Sequence, residues 1–229
     1  MVAPTPERRQ LLRKSPLFSR LPDEETDAIL AHAIIERYPA GAPIFAKGDP
    51  GSSMMAVLKG QVMISVLSLD GKLVVLNTIN EGEIFGEIAL LDGKERSADA
   101  TAMSNCELLV VARRSFLPLL ERPALTRELL MVLCEKVRRT SEQVEDVLFL
   151  DVEARIAKVL LRLAQWGNGP SRPDARIALR VSQRELGNLV GASRESVNKQ
   201  LQAWRRAGVI AIENGSIVIR NAAALEAFG

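Results

Sequence analysis

The chain has 229 residues, of which 47% are hydrophobic and 25% are charged, with a formal net charge of +2. This composition is typical of a folded protein with one or two domains and excludes a disordered chain. No apolar run approaches the roughly 20 residues that a membrane span needs, and the N-terminus lacks the apolar core of a signal peptide. Both cysteines, Cys106 and Cys134, lie in apolar segments, which favours buried, reduced thiols over a disulfide. We therefore expect a cytoplasmic protein that does not bind membranes.

Charge is distributed unevenly along the chain. Residues 1–150 contain 18 Lys and Arg against 21 Asp and Glu, a net −3, whereas residues 151–229 contain 12 against 7, a net +5. A basic C-terminal part behind a mildly acidic one suits a nucleic-acid-binding module attached to a different domain.

The N-terminal part changes character at residue 34. Residues 7–33 predict short helices. From Ile34 to Val111, short runs suited to strands alternate with turns that contain Gly and Asp. The Asp70-Gly71 dipeptide predicts a type I′ hairpin turn, which needs positive φ at both central residues. Many short strands with tight turns indicate a sandwich, a barrel or a β-roll.

One loop in this β-rich region combines a glycine, a carboxylate and an arginine. Gly86 permits close backbone approach, and a helix that starts after it presents free N–H groups to an anion. Glu87 is suited to accept from a ribose hydroxyl, while Arg96 and Ser97 can donate to a phosphate. Taken alone, these residues favour a simpler interpretation, a glycine turn with a Glu87–Arg96 ion pair across it.

The segment Leu125–Leu150 predicts one long helix that begins near Arg122-Pro123 and contains no Gly or Pro beyond that point. Alternating steps of three and four residues separate its apolar positions, which is the a/d pattern of a helix that pairs with a partner helix. The a/d positions are Leu130, Leu133, Val137, Thr140, Val144 and Val147, and all except Thr140 are apolar. Thr140, with Ser141 beside it, either bonds to its own backbone or presents hydroxyl groups from both subunits to a ligand. We expect this helix to join the two parts of the chain and to form a homodimer.

The remaining residues predict a small, mainly helical domain. A helix over Val152–Trp166 is followed by a loop over Gly167–Arg176 and a short strand over Ile177–Val181. Near the C-terminus, Ile210–Ile219 predicts a hairpin with an Asn214-Gly215 turn, which fits a wing.

Between these elements the sequence predicts a helix-turn-helix. Ser182 and Glu185 form a capping box at the start of one helix, and Gly191 falls where a short inter-helix turn needs a left-handed residue. Ser193 caps a second helix, and its predicted buried residues are Val197, Leu201 and Trp204.

The exposed side of the second helix carries polar residues suited to DNA. Arg194 and Lys199 can donate to guanine, Glu195 can accept from cytosine, and Asn198 lies beside them. Candidate phosphate contacts are Arg180, Arg184, Arg205 and Arg206.

Several of these segments resemble one family. The stretch FGEIALLDGKERSA (85–98) resembles the phosphate-binding cassette of cyclic-nucleotide-binding domains, and KGDPGSSMMAVLKGQVMI (47–64) resembles their glycine-marked strands. The segments Thr140-Ser141-Glu142 and Phe149–Val152, together with ASRESVNKQL (192–201), resemble the catabolite activator/FNR (CRP/FNR) regulators. The resemblance covers nearly the whole chain after about residue 15, in the domain order of that family.

This resemblance implies an α+β protein with three parts: a cyclic-nucleotide-binding β-roll, similar to a double-stranded jelly roll, over 1–122; a dimerisation helix over 123–150; and a winged helix-turn-helix over 151–229. It implies a homodimeric transcriptional regulator controlled by cyclic AMP, with cyclic GMP as the alternative nucleotide. The implied partners are RNA polymerase and a palindromic operator in double-stranded DNA with TGTGA-like half-sites.

The resemblance also implies the residues of both sites. Gly86 and Glu87 correspond to the ribose site, Arg96 and Ser97 to the cyclic phosphate site, and the Thr140–Ser141 pair to adenine contacts, one from each subunit. The implied ligand-binding residues are Phe85, Gly86, Glu87, Ile88, Ala89, Arg96, Ser97, Ala98, Thr140 and Ser141. The implied DNA-binding residues are Ser182, Arg184, Ser193, Arg194, Glu195, Asn198 and Lys199.

Two residues depart from the family pattern. Asp99 brings a carboxylate close to the predicted phosphate site, on the same strand face as Ser97 if both lie on one strand. Lys199 stands where the family has an Arg, so its guanine contact is a single donor rather than a bidentate one.

Asp99 keeps open the alternative of a DNA-binding dimer with another effector or with none. A third alternative is a cyclic-nucleotide-binding subunit that acts on a protein partner, although Arg194, Glu195 and Lys199 argue against it.

Other functional classes have little support. His32 is the only histidine, and two cysteines cannot supply the four thiolates of an iron–sulfur cluster. We therefore expect no metal, haem or iron–sulfur cofactor. The chain has no P-loop, and a Ser/His/Asp triad is conceivable only through His32, so we expect no enzymatic activity.

Overall fold

The computed structural model describes residues 9–10, 12–13, 15–68, 73–168, 177–179, 181–213 and 216–228. The chain divides into two compact units, Met1–Arg138 and Arg139–Gly229, and the boundary lies inside one long helix. The first unit holds the β-rich region and the second holds the basic helical region, so the predicted α+β class is confirmed. Within the described ranges, no helix is long and apolar enough to cross a membrane.

The first unit contains two four-stranded antiparallel sheets with helices around them. Its strands are β1 (Ala33–Tyr38), β2 (Pro43–Phe45), β3 (Ser53–Lys59), β4 (Val62–Leu67), β5 (Leu73–Ile79), β6 (Ile84–Phe85), β7 (Asp99–Ala102) and β8 (Cys106–Ala112). Its helices are α1 (Pro16–Ser19), α2 (Asp23–Leu30), α3 (Glu87–Asp92), α4 (Arg113–Phe116), a 3₁₀ turn (Leu117–Glu121) and the first part of α5 (Pro123–Phe149). The strand order is β1-β8-β3-β6 in one sheet and β2-β7-β4-β5 in the other.

Strand β3 connects the two apolar clusters of this unit. Its residues from Met54 to Leu58 are all buried, because successive side chains point to opposite faces of the sheet and both faces are covered. Met54 and Leu58 contact a cluster that includes residues of α1, α2 and α5, whereas Met55 and Val57 contact residues of the second sheet. The core therefore lies on both sides of the sheet β1-β8-β3-β6.

Two predictions concern the ends of strands. Strands β4 and β5 pair antiparallel with Leu67 opposite Leu73, although the predicted turn at Asp70-Gly71 lies outside the described residues. Strand β7 begins at Asp99, and Ser97 precedes it. The expectation that Ser97 and Asp99 share a strand face is therefore wrong, since strand alternation does not extend back to residue 97.

The predicted long helix α5 is continuous from Pro123 to Phe149. Its first part is held by the core of the first unit, because Leu125, Leu129 and Val132 are buried against that core. One apolar stripe of the helix is thus covered by its own domain.

The a/d face of α5 is a second stripe and is open in the single chain. The exposed fractions are 56% for Leu130, 65% for Val137, 53% for Val144 and 61% for Val147. Cys106 is buried as predicted, but Cys134 is exposed. The expected burial of Cys134 is wrong because Cys134 lies on the outward side of the helix, whereas Val132 and Leu133 pack against the core.

The second unit is a three-stranded antiparallel sheet with helices packed on it. Its elements are the end of α5, α6 (Val152–Asn168), β9 (Ile177–Leu179), α7 (Gln183–Val190), α8 (Arg194–Arg206), β10 (Ile210–Glu213), β11 (Ser216–Ile219) and α9 (Ala222–Glu226). The strand order is β10-β11-β9. The core combines Ile156 and Leu160 of α6 with Leu186 of α7 and Leu201 of α8. Helix α6 ends at Asn168 rather than at Trp166.

The helix-turn-helix prediction is confirmed in its local geometry. Ser182 and Glu185 form the capping box, Gly191 has a left-handed φ of +66°, and Ser193 caps α8. Strands β10 and β11 pair with Glu213 opposite Ser216, and the predicted Asn214-Gly215 turn between them lies outside the described residues.

Candidate functional site

The predicted cassette starts where strand β6 ends. Gly86 follows Phe85 with a left-handed φ of +75° and precedes helix α3. A Cβ at position 86 would lie 2.6 Å from Arg96 Nη1. Only glycine combines this backbone conformation with such a close approach of the guanidinium group.

A second glycine, Gly51, packs closely against the cassette. A Cβ there would overlap the Cβ of Ala89 and lie 2.6 Å from the carbonyl oxygen of Lys94. The backbone at residue 51 therefore contacts α3 and the following loop directly. Gly51 belongs to the glycine-marked stretch 47–64, which was the available sequence signal for this close contact.

Arg96 is a buried cation, and its hydrogen bonds do not satisfy all of its N–H donors. It is 5% exposed, its Nη1 donates to Gly86 O at 2.8 Å, and its Nη2 donates to Ser53 Oγ at 3.1 Å. Its guanidinium carbon lies 4.2 Å from the centroid of the Phe45 ring, and its Nε has no hydrogen-bond partner. Burial lowers the pKa of Arg96, and the nearby charges of Asp49 and Glu87 oppose that shift.

Glu87 forms its ion pair with a residue that the sequence analysis missed. The carboxylate is 2% exposed, and its Oε1 accepts from Lys136 Nζ at 2.8 Å. The same Nζ donates to Ile84 O at 2.9 Å. The simpler interpretation of a Glu87–Arg96 ion pair is therefore wrong, because Lys136 of α5 is the partner. The available signal was the position of Lys136 on the buried stripe of α5, four residues after Val132.

The other cassette residues divide into buried and exposed ones. Phe85 packs against Phe45 with ring centroids 5.9 Å apart, and Ala89 and Ala98 are buried. Ser97 is exposed beside Arg96, and Ile88 is 53% exposed. The structure thus brings the predicted residues of 85–98 together around Gly86 and Arg96.

Asp99 has a local structural role. Its Oδ1 accepts from the backbone N–H of Lys47 at 2.8 Å, which ties the start of β7 to the loop after β2. Asp99, which departs from the family pattern, therefore binds the backbone of the neighbouring loop.

Thr140 and Ser141 lie on α5 in the second unit, and both are exposed. They are neighbours of the exposed Val137 and Val144 on the a/d face.

The predicted DNA-binding residues of the helix-turn-helix are all exposed. Arg194, Glu195, Asn198 and Lys199 of α8 are all exposed, whereas Val197, Leu201 and Trp204 of the same helix are buried. Helix α8 therefore presents its first turns to solvent while its other face is anchored in the core.

Hydrogen bonds order the groups at this surface. Ser182 Oγ accepts from Glu185 N at 3.1 Å, and Ser193 Oγ accepts from Ser196 N at 3.1 Å. Gln183 Nε2 donates to Asn198 Oδ1 at 3.1 Å. Hydrogen bonds from its own backbone and from Ser193 lower the pKa of Glu195, which keeps this carboxylate ionised.

Three of the four candidate phosphate contacts lie in the described part of the chain. Arg184, Arg205 and Arg206 are exposed, and Arg180 lies outside the described residues. No group of three or more His, Cys, Asp or Glu residues that could hold a metal ion occurs in the part of the chain that the structure describes.

Comparison with known proteins identifies both units. The Cyclic nucleotide-binding domain model matches residues 35–123, and the Crp-like helix-turn-helix domain model matches residues 154–228. The Cyclic AMP receptor protein of Thermus thermophilus is 36% identical over 221 residues, which cover 95% of this chain and 99% of that relative. The chain belongs to the CRP/FNR family of transcriptional regulators.

Other members of this family match over similar lengths. The CRP-like cAMP-activated global transcriptional regulator of Mycobacterium tuberculosis is 31% identical over 213 residues, which cover 92% of this chain and 94% of that protein. Among solved structures, the c-di-GMP responsive global regulator CLP of Xanthomonas campestris has a TM-score of 0.78 at 26% identity, over 87% of this chain and 100% of that one. The CRP/FNR resemblance of the sequence is thereby confirmed, together with a cyclic-nucleotide-binding domain and a DNA-binding helix-turn-helix.

Proposed function

We propose that this CRP/FNR regulator is a homodimer whose β-roll binds cyclic AMP and whose helix-turn-helix binds a palindromic operator. In this proposal residues 1–122 form the sensor domain, 123–150 the dimerisation helix and 151–229 the DNA-binding domain. The observation that carries it is Arg96, a buried guanidinium without a carboxylate in ion-pair contact in the described part of the chain.

A cyclic phosphate meets the electrostatic need of Arg96. Burying a cation is unfavourable unless an anion or hydrogen-bond acceptors compensate it. The contacts with Gly86 O and Ser53 Oγ satisfy only part of the guanidinium, and both acceptors are neutral. An anion bound beside Gly86 supplies the missing charge, and the exposed Ser97 adds a hydroxyl donor.

Glu87 is proposed to accept from the ribose hydroxyl. Its ion pair with Lys136, 2.8 Å long, holds the carboxylate in one orientation at a buried position. Because Lys136 belongs to α5, a ligand that bonds to Glu87 acts directly on a contact of the dimerisation helix. This gives binding in the roll a physical route to the helix pair, as allosteric coupling requires.

The dimer is proposed to form through the a/d face of α5. Leu130, Val137, Val144 and Val147 place an apolar stripe, interrupted at Thr140, on the surface of the single chain. Such a face is typical of a helix that pairs with a second copy. Thr140 and Ser141 lie on the same face, and we assign them the adenine contacts, one from each subunit.

Two copies of the helix-turn-helix are proposed to occupy successive major grooves, roughly 34 Å apart. Arg194, Glu195 and Lys199 are assigned to base edges of a TGTGA-like half-site, with Asn198 beside them and Lys199 as a single donor. Ser182 and Ser193 complete the proposed DNA-binding residues. The proposed phosphate contacts are Arg180, Arg184, Arg205 and Arg206, and RNA polymerase is the proposed protein partner.

A different effector is the second candidate. The similar structure CLP is described as c-di-GMP responsive, so cyclic di-GMP joins cyclic GMP as an alternative ligand. The hydrogen bond between Asp99 and Lys47 N supports an anionic ligand of any of these kinds, because one oxygen of the Asp99 carboxylate is thereby held at the neighbouring loop.

Calorimetric titration tests the effector. We expect cyclic AMP to bind more tightly than cyclic GMP or cyclic di-GMP. Loss of the charge-assisted bonds in Arg96→Leu, at about 1.5–3 kcal/mol each, is expected to weaken binding by at least about tenfold. Arg37→Leu is the matched control, since Arg37 is 78% exposed on the same domain and pairs with Glu107. Unchanged cyclic AMP binding in Arg96→Leu would refute the assigned phosphate site.

Operator binding is tested separately with a labelled duplex that carries two TGTGA-like half-sites. Arg194→Ala is expected to weaken binding by about 1–3 kcal/mol, which is the discrimination of one base contact. Arg220→Ala is the control, because Arg220 is exposed and pairs with Glu213 in the same unit. Equal effects of the two substitutions would contradict the assigned reading surface.

A further inference from the structure

Glu153 connects α6 to α8 through side-chain hydrogen bonds. It lies in the first turn of α6, and its Oε1 accepts from Gln200 Nε2 at 2.6 Å and from Trp204 Nε1 at 3.2 Å. One carboxylate oxygen therefore holds two donors of the recognition helix.

The two donors lie one helical turn apart on the inner side of α8. Trp204 is 2% exposed, and Gln200 is half-buried and directly follows Lys199, an assigned base contact. Apolar contacts hold α8 on the domain but have no direction of their own. Hydrogen bonds to a carboxylate are directional and short, so this pair of bonds fixes the rotation of α8 about its axis and its shift along it.

Helix α6 is itself fixed at the same end. Asp151 Oδ1 accepts from Ala154 N at 2.8 Å, and Asp146 at the end of α5 pairs with Lys158 of α6 at 2.6 Å. All of these residues belong to the second unit. Glu153 thus projects from a helix start that is anchored on both sides.

We propose that Glu153 is a positioning residue for DNA recognition, which sets the register of the base-contacting turn of α8 through Gln200 and Trp204. This inference rests on the DNA-binding surface proposed above. Contacts with base edges need correct geometry, so a displaced α8 loses them first. Contacts with phosphates supply the non-specific affinity and are less sensitive to the position of the helix. Glu153 therefore controls specificity rather than general affinity for DNA.

The test compares full-length dimers that carry Glu153→Ala, Glu153→Gln or the matched control Glu226→Ala, an exposed carboxylate of the same unit. Loss of two bonds to a charged group is expected to weaken operator binding about 10- to 100-fold in Glu153→Ala. Binding to a scrambled duplex and the salt dependence of binding are expected to stay within about twofold, because the phosphate contacts remain. Glu153→Gln retains an acceptor oxygen and is expected to recover most of the operator affinity.

Trp204 provides a direct readout of the contact. In a Trp166→Phe background Trp204 is the only tryptophan of the chain. The emission spectrum is expected to change in Glu153→Ala and to return toward the unsubstituted spectrum in Glu153→Gln. Gln200→Leu leaves the carboxylate in place, removes one donor and serves as a second variant if Glu153→Ala does not fold.

Three results separate the inference from the function on which it rests. Operator affinity within twofold of the unsubstituted protein in both Glu153→Ala and Gln200→Leu, with Arg194→Ala impaired, would overturn the inference alone. Equal loss of operator and scrambled-duplex binding would also overturn it, because that pattern indicates general damage to the domain. Unimpaired operator binding in Arg194→Ala would overturn the proposed reading surface instead.

Discussion

Replacing Lys136 by Met removes the cation that compensates Glu87 while keeping a side chain of similar length. The Glu87 side chain is 3% exposed, so its carboxylate cannot recover the lost partner from bulk water without local opening. Lys136 also donates to Ile84 O, and that bond is lost as well.

The expected loss follows from these two contacts. Leaving a buried charge without its partner costs about 3–5 kcal/mol in fully buried pairs. The Lys136 side chain is 28% exposed, which places the expected value lower because solvent screens the pair. We expect Lys136→Met to lower the free energy of unfolding by about 2–3 kcal/mol. The double variant Glu87→Gln/Lys136→Met is expected to recover at least about 1 kcal/mol, because a neutral amide needs no cation.

The assay is urea unfolding at one fixed protein concentration, since the stability of a dimer depends on concentration. Arg37→Met is the control, because an exposed pair such as Arg37–Glu107 contributes only about 0–1 kcal/mol. A change of less than about 0.5 kcal/mol in Lys136→Met, or strict additivity in the double variant, would refute the claim that Lys136 compensates a buried charge.

Three further substitutions test other features. Gly86→Ala is expected to lose about 1–2 kcal/mol of stability from the left-handed backbone and also to lose nucleotide binding, measured by urea unfolding and calorimetry. Gly41 also has a positive φ, but its Cβ would meet open space, so Gly41→Ala should keep nucleotide binding. Equal losses of nucleotide binding in the two variants would contradict the proposed overlap between a Cβ at residue 86 and Arg96. Val137→Glu is expected to give monomers in sedimentation, unlike Arg138→Glu beside it, and an unchanged dimer would exclude this face as the interface. Ser182→Ala removes a helix cap and should cost about 1 kcal/mol, so an unaltered midpoint in thermal unfolding would show that the capping box contributes nothing.

Local patterns in the sequence predicted the cassette and the helix-turn-helix because their requirements are local. Gly86 needs a positive φ, and the Ser182–Glu185 box needs only its own turn, so short motifs identify both. The partner of Glu87 could not be predicted in this way. Lys136 lies 49 positions along the chain, and only the packing of α5 on the roll brings the two together.

Two of the wrong expectations, those for Ser97 and Cys134, share a cause, since each relied on the local sequence pattern alone. Strand alternation was applied to Ser97, which precedes β7, and apolar context was taken as burial for Cys134. Helix α5 carries two apolar stripes, and a periodicity of three and four does not say which one its own domain covers. Glu153 was not predicted either, because its role depends on side chains of α8 far along the chain.

In the proposed dimer, helix α5 also links the local dynamics of the protein to its concentration. Up to Val132 the helix is held by the core of its own chain, whereas from Val137 onward its apolar face is exposed in the single chain and would be covered only by a second copy. Amide hydrogen exchange measures the free energy of local opening. On dilution, protection is therefore expected to persist in the first part of the helix and to fall in the second, with the step near Leu133. A single unbroken helix then reports, residue by residue, what fraction of the chains is paired.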